Sequence, residues 1–192
     1  PEVQRQMKPL LYNDCMTVTG KTIGENAAAC RSLYPKNPEV ITSLEKPFST
    51  LAGLAIMHGN LAPDTAVAKP AAVAEEVRHF IGKAICFDSE DAVSDAIARQ
   101  LIKPGHVVVV RYEGPKGPPG MPEMFKPMKL LYGQGLNKCT ALITDGRFSG
   151  TNNGCFVGHI SPEAAAGGPI ALIEDGDEIE IDIPNKKLEL HV

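Results

Sequence analysis

The stretch PIALIEDGDEIEIDIPNKKLELHV (169–192) says most about the fold. It starts with a short apolar run, 169–173, and apolar and acidic residues then alternate through 179–183. Alternation with a period of two is typical of a strand with one buried face, and turn residues at 175–176 and 184–185 separate the runs. We therefore predict a buried strand at 169–173 and two strands after it. The apolar positions of the last one are Leu188, Leu190 and Val192.

Upstream segments add further strands. HVVVVRYE (106–113) is apolar without interruption over four residues, which is typical of a strand buried on both faces. KAICFDS (83–89) and TALIT (140–144) are also predicted strands. Because strands supply most of the predicted core, we expect a mixed, β-rich α/β domain.

Helical patterns occur in three places. One follows the strand at 83–89, with Asp88 or Ser89 as its cap and Pro104-Gly105 as its stop. A second spans about 122–132 and a third about 25–33. The residues that share the apolar face of the first helix are Ala92, Val93, Ala96, Ile97 and Leu101.

The segment GKT (20–22) precedes the third helix and invites a phosphate-loop interpretation. That motif needs a glycine five positions earlier, where this chain has Cys15, so the interpretation fails. Thr22 and Glu25 instead fit a capping box. The helix start could still attract an anion through its free amides, but a simple cap is the favoured interpretation.

Composition narrows the class of protein. The 192 residues are 43% hydrophobic with a net charge of −4, have no basic run, and include no apolar stretch long enough for a membrane span or a secretory signal. We expect a soluble, cytoplasmic globular domain that binds neither nucleic acid nor membrane. The five cysteines show no CxxC pair, and we expect buried, reduced thiols rather than a disulfide framework or a metal cluster.

Two loops have unusual compositions. GPKGPPGMPEM (114–124) places four prolines and three glycines ahead of a helix, which holds the backbone in a fixed shape and delivers Glu123 to the helix start. The Glu123 carboxylate either belongs to a site or complements the helix dipole. Lys116 is either a solvated charge or an anion contact.

The second loop is DGRFSGTNNG (145–154), which follows a predicted buried strand. Arg147 and Ser149 lie between glycines that permit close approach of a substrate. A serine becomes a base only when its alkoxide is stabilised, and the surrounding sequence has no GxSxG motif, so a hydrolase is disfavoured and a plain turn stays possible. His159 is interpreted as a core or turn residue.

Five segments, in this order, closely resemble the C-terminal part of the dihydroxy-acid dehydratase/phosphogluconate dehydratase family. Together they cover nearly the whole chain, so the resemblance is specific. The segments are TVTGKTIGEN (17–26), GNLAPDTAV (59–67), YEGPKGPPGMPEM (112–124), ALITDGRFSG (141–150) and GHISPEAAAGGPIALIEDGDEIEIDI (158–183).

The resemblance implies a fold and a reaction. The fold is a β-barrel-like swivelling β/β/α domain with flanking helices, which closes over an N-terminal domain. The reaction converts a 2,3-dihydroxy acid to a 2-keto acid by loss of water, with an iron–sulfur cluster and Mg²⁺ as cofactors. By the same resemblance Ser149 is the proton-abstracting base and Glu123 a magnesium ligand, while the cluster ligands lie outside this chain. Substrate contacts are predicted for Arg147, Thr151 and Lys116.

The same resemblance sets expectations about the whole molecule. We expect a single C-terminal dehydratase domain over 1–192, with 1–60 as a partly separate entry segment, that is a fragment of a homodimeric enzyme. A branched-chain dihydroxy acid of amino-acid biosynthesis is the first choice of substrate. A sugar acid such as a gluconate or xylonate is the alternative. The isolated chain is expected to be inactive, and a non-catalytic docking domain is the competing interpretation.

Overall fold

The computed structural model describes residues 2–31, 35–50, 53–118, 120–149 and 154–191. The chain divides into two compact units, Pro1–Thr50 and Leu51–Val192. Within the described ranges, no helix is both long and apolar enough to cross a membrane.

The first unit contains two short helices, α1 (Glu2–Gln6) and α2 (Ile23–Ala29), with a 3-10 turn between them. α2 begins at the predicted capping box. The Thr22 hydroxyl accepts a hydrogen bond from the Glu25 backbone amide, and the Glu25 carboxylate accepts one from the Thr22 backbone amide. The cap is confirmed. The helix was expected over 25–33, but it begins earlier and ends at Ala29, and residues 32–34 lie outside the described ranges.

The second unit is an eight-stranded closed barrel with the order β1-β2-β6-β5-β4-β3-β7-β8. The β-rich mixed fold and the barrel are thus confirmed. Neighbouring strands are parallel from β3 through β4 and β5 to β6, and also between β8 and β1. The strands are β1 Ala55–Gly59, β2 Ala62–Ala68, β3 His79–Phe87, β4 His106–Val110, β5 Ala141–Thr144, β6 Cys155–Gly158, β7 Glu178–Asp182 and β8 Lys187–His191.

Alternation of side chains along β4 explains its uninterrupted apolar run. Val107 and Val109 point into the barrel, where every strand contributes to one apolar cluster. Val108 and Val110 point outward and pack in a second cluster beneath two helices, α3 (Glu90–Ala98) and α4 (Phe125–Gly133). The prediction that this strand is buried on both faces is confirmed.

The helices α3 and α4 lie close to their predicted positions. Ser89 caps α3, its hydroxyl accepting the Ala92 amide. Ala92 itself is exposed and Leu101 lies beyond the helix end, about half exposed, so the predicted apolar face is too long. α4 begins at Phe125 rather than near Pro122, because Glu123 is held in a β-bridge with Arg147.

The predicted strand at 169–173 is wrong, because Pro169–Leu172 form a 3-10 helix. Pro169 has no amide proton for a strand ladder and fits the first position of a helix. Ile170 and Ile173 nevertheless join the apolar cluster that fills the barrel, which is why the segment has the composition of a buried strand. Strands β1, β2 and β6 were not predicted. β6 has only four residues, and β1 and β2 contain residues of low strand propensity such as Gly59, Pro63 and Asp64.

Candidate functional site

The parallel strands β3 to β6 end at the same rim of the barrel. Polar loops follow β4 at Arg111, β5 at Asp145 and β6 at His159. In α/β sheets, ligands commonly bind beyond the carboxyl ends of parallel strands. This rim brings together both loops of unusual composition.

Asp145 connects the three loops. It is 1% exposed. Its carboxylate accepts hydrogen bonds from two backbone amides beyond β4, those of Tyr112 (3.1 Å) and Glu113 (2.9 Å). It accepts a third from the Ala164 amide (2.8 Å) beyond β6. A buried carboxylate is tolerated when donors such as these surround it. Glu113 is itself buried and accepts the Glu90 amide at the start of α3. Burial raises the pKa of Glu113 above its ordinary value.

The Pro/Gly loop is fixed by backbone contacts. Both carboxylate oxygens of Glu163 lie within 3.0 Å of the Lys116 amide. A Cβ on Gly117 would stand 2.1 Å from the Tyr112 carbonyl oxygen, so only glycine fits. The described part of this loop is neither helix nor strand, as predicted. The Lys116 side chain itself is exposed at the rim.

Glu123 and Arg147 lie side by side. The two form a parallel β-bridge, in which the Met124 amide donates to the Arg147 carbonyl at 2.8 Å. The Arg147 guanidinium donates to the Met121 carbonyl at 2.9 Å and so ties the second loop back to the first. Glu123 is exposed, and its carboxylate has no hydrogen-bond or ion-pair partner among the residues that the structure describes. These oxygens are therefore free to accept a ligand.

Ser149 is half-buried two residues beyond Arg147. The Lys69 ammonium donates to the Ser149 carbonyl at 2.7 Å. Burial lowers the pKa of His159 below its ordinary value, and the charges of Arg147 and Lys69 lower it further. Positive charge is thus concentrated around Ser149, where an alkoxide would need it.

Two clefts meet at His159. One has a volume of about 380 Å³ and the other about 300 Å³, and most of the lining surface of both is apolar. Residues around the first include Lys116, Met121, Asp145, Ser161 and Glu163. Residues around the second include Leu54, Val67, Lys69, Phe148 and Phe156.

The residues present fit magnesium in part and do not fit an iron–sulfur cluster. The free oxygens of Glu123 are the hard ligands that Mg²⁺ prefers, although a full site needs further ligands. Burial raises the pKa of the Cys86 and Cys155 thiols to about 12, which keeps them protonated. Within the described ranges, no group of three or more close metal-ligating side chains includes a cysteine. No step is therefore assigned to a cluster held by these residues.

Of the five predicted site residues, Glu123 and Arg147 are in direct contact, Ser149 follows Arg147 by two residues in the same loop, and Lys116 lies in the loop that Glu163 holds. Thr151 lies outside the described residues. Sequence reasoning missed Lys69 and Asp145 as parts of the site. Nothing in the local sequence marks Lys69, since β2 was not predicted. Asp145 could have been noticed as a carboxylate that directly follows a buried strand.

A barrel whose parallel strands end in such a polar rim is typical of domains that bind a ligand beyond the carboxyl ends of their strands. Residues 39–192 match the profile of the family described as dihydroxy-acid/6-phosphogluconate dehydratase C-terminal. The chain belongs to this family, and it is a dehydratase domain of that family.

Two curated relatives show the extent of the similarity. The chain is 52% identical to the dihydroxy-acid dehydratase of Aquifex aeolicus over 192 residues, covering 99% of this chain and 34% of the relative. It is 55% identical to the dihydroxy-acid dehydratase of Agathobacter rectalis over 183 residues, covering 95% of this chain and 32% of that protein. The chain thus spans about a third of the length of these relatives.

Proposed function

We propose that the chain is the C-terminal part of a hydro-lyase that converts a 2,3-dihydroxy carboxylic acid to a 2-keto acid. The observation that carries this proposal is the meeting of Glu123, Arg147 and Ser149 at one rim of the barrel, beside Lys69. The names of the two relatives support the reaction class.

In this proposal Ser149, as an alkoxide, takes the proton from C2 of the substrate. The electrons of the C2–H bond form a C2–C3 double bond, the 3-hydroxyl leaves and takes up a proton to become water, and the resulting enol tautomerises to the 2-keto acid. A serine hydroxyl is a weak base, so the site has to stabilise the alkoxide. Lys69 and Arg147 supply positive charge close by, and both act electrostatically on the neighbouring His159. Preorganised charge of this kind acts where the negative charge develops and requires no reorganisation during the reaction.

Glu123 is proposed as one ligand of Mg²⁺. When bound, the ion would polarise the carboxylate and 2-hydroxyl of the substrate and so acidify the C2 proton. The β-bridge to Arg147 fixes the backbone of Glu123. The Arg147 guanidinium and the exposed Lys116 ammonium would attract the anionic substrate to the rim.

A branched-chain dihydroxy acid is the proposed substrate, as in branched-chain amino-acid biosynthesis. The cleft of about 300 Å³ supports this choice, because Leu54, Val67 and Phe148 in its wall offer a surface suited to an alkyl group. A sugar acid would place hydroxyl groups against the same apolar wall, where they would lose hydrogen bonds to water.

The remaining two thirds of the enzyme would supply the iron–sulfur cluster and the other magnesium ligands. We therefore propose an N-terminal domain of the same enzyme as the partner of this rim, in a homodimer. The chain alone is then expected to lack activity, because its described residues offer one free carboxylate for magnesium and no cysteine cluster.

A chimera tests this proposal. The chain replaces the matching third of the Aquifex aeolicus enzyme, and turnover of a branched-chain dihydroxy acid is compared with that of a gluconate-type acid. We expect dehydration of the branched substrate at a rate comparable to the parent enzyme, and none with the chain alone. Preference for the sugar acid would overturn the substrate assignment. A folded chimera that loads its cluster but has no activity on either acid would overturn the function.

A further inference from the structure

A cluster of histidine and carboxylate side chains lies on the outer wall of the barrel beside the first half of β3, away from Asp145, which follows the end of β5. His79 begins β3, Glu180 lies on β7 and His191 ends β8, and these three strands are neighbours. All three residues occupy outward positions, alternating with buried ones such as Ile179 and Ile181. The cluster is therefore separate from the proposed dehydratase site.

The Glu180 carboxylate stands between the two imidazoles. His79 Nε2 lies 2.8 Å from one of its oxygens, and His191 Nε2 lies 3.0 Å from the other. The Glu180 side chain is 21% exposed, whereas the imidazoles are about half exposed, so both rings can turn at little cost.

Asp182 adds a fourth side chain to the cluster. It lies directly opposite His79 in the register of β3 and β7, and it is 8% exposed. The Asn185 backbone amide (3.0 Å) and side-chain amide (2.7 Å) each donate to one of its oxygens and hold the carboxylate in place. Ligand atoms of His79, Glu180 and Asp182 all lie within 4.8 Å of one another.

These separations are close to those of a metal site. Zinc lies roughly 2.0–2.2 Å from its nitrogen and oxygen ligands, so two ligand atoms around one tetrahedral ion are about 3.3–3.6 Å apart. A shift of roughly an ångström, which the exposed His79 imidazole can make, would bring the group of three within reach of one ion.

We infer that His79, Glu180 and Asp182 form a binding site for a divalent transition-metal ion, with Zn²⁺ the best fit, and that His191 supports the site by holding the second oxygen of Glu180. Imidazole nitrogen suits zinc, whereas magnesium prefers oxygen ligands alone. Two carboxylates and one neutral imidazole carry a charge of −2, which matches the ion. The charged side chains at outward positions around the site are Lys83, Glu178, Lys187 and Glu189, and Lys83 pairs with Glu178.

An ion at this site would join two strands of the barrel wall directly. β3 supplies His79 and β7 supplies Glu180 and Asp182, while His191 on β8 holds Glu180 from the other side. Because the site exists only in the folded chain, a bound ion would raise the free energy of unfolding by mass action.

The test titrates the metal-free 192-residue chain with ZnCl₂ by calorimetry near neutral pH, in a buffer without thiols. We expect one saturable site, and we expect MgCl₂ to give no heat of binding. The variants His79→Ala and His191→Ala should each weaken zinc binding by about tenfold or more, since removal of even an indirect support of a metal ligand costs roughly 10- to 100-fold. His106→Gln, a histidine on β4 away from the cluster, is the matched control and should bind zinc as the parent does.

Circular dichroism verifies that each variant is folded, which we expect because both imidazoles are exposed. Zinc should also raise the thermal unfolding temperature of the parent and of His106→Gln, but not of the double variant His79→Ala, His191→Ala. Zinc binding of undiminished affinity in that double variant would place the ion on other side chains, the cysteines included, and would overturn the inference. Absence of saturable binding to the parent would overturn it equally.

Discussion

The ammonium of Lys69 donates a hydrogen bond of 2.7 Å to the backbone carbonyl of Ser149, which lies 80 residues further along the chain. This bond connects the end of β2 to the loop after β5. It fixes the backbone of the proposed base and leaves a positive charge beside it. Lys69 therefore both positions Ser149 and favours its ionised form in the proposed mechanism.

Replacing Lys69 tests that relationship. In the chimera, Lys69→Met should lower kcat by about tenfold or more, because one charge-assisted hydrogen bond contributes roughly 1.5–3 kcal/mol. The pH profile of kcat should also shift to higher pH, since the alkoxide loses a stabilising charge. Lys138→Met, at an exposed lysine paired with Glu76, is the control and should leave kcat unchanged. An unaltered kcat and profile for Lys69→Met would show that the bond is only structural or dispensable.

Asp145 should be a main determinant of the rim's stability. Asp145→Ala leaves the buried amides of Glu113 and Ala164 without an acceptor, so the free energy of unfolding should fall by more than about 2 kcal/mol. Urea unfolding of the 192-residue chain measures this loss. Asp91→Ala, at a side chain that is 97% exposed, should change it by less than about 0.5 kcal/mol. Equal, small effects at both positions would contradict the assigned role of Asp145.

Two glycines make a matched pair. Gly117→Ala would place a Cβ 2.1 Å from the Tyr112 carbonyl oxygen and should force the Pro/Gly loop to move. Gly133→Ala, at the end of α4, meets no atom within 4 Å and should instead stabilise the helix by roughly 0.5–1 kcal/mol. Thermal unfolding should therefore shift down for the first variant and up for the second. Shifts in the same direction would refute the tight packing of the loop.

His159 should make stability depend on pH. Burial, with Arg147 and Lys69, lowers its pKa in the folded chain, so the unfolded chain binds the proton more readily. Its contribution to stability is complete above the ordinary pKa of 6.5 and is lost as the pH falls through the lowered value. The variant His159→Asn, in which asparagine tolerates the positive φ of 55°, should flatten this part of the urea-midpoint profile. If the urea midpoint of His159→Asn fell as steeply below pH 6.5 as that of the parent, the lowered pKa of His159 would be contradicted.

Sequence patterns predicted those elements whose periodicity is strong. The doubly buried β4, the alternating β7 and β8, and both caps at Thr22 and Ser89 follow from local rules that tertiary structure does not override. Barrel closure does not follow from any local pattern, because it depends on the pairing of β2 with β6 and of β1 with β8, which lie far apart in the sequence. The family resemblance, rather than periodicity, supplied the expectation of a barrel.

The residues of the candidate site also include some that the sequence could predict and one that it could not. Glu123 and Ser149 could be selected from the composition of their loops together with the resemblance. Their neighbour Lys69 could not, because the contact spans 80 residues and depends on the pairing of β2 with β6. Long-range contacts of this kind are set by topology, which a single sequence does not reveal through local spacing.

The central claim is that Ser149 is the proton-abstracting base of a dehydratase. The most direct measurement is the rate of 2-keto acid formation by the chimera carrying Ser149→Ala, beside the exposed control Ser43→Ala. We predict that Ser149→Ala lowers kcat by at least about a thousandfold, with the iron–sulfur absorbance of the chimera intact, while Ser43→Ala has full activity. Substantial turnover by Ser149→Ala at an unchanged cluster content would contradict the account.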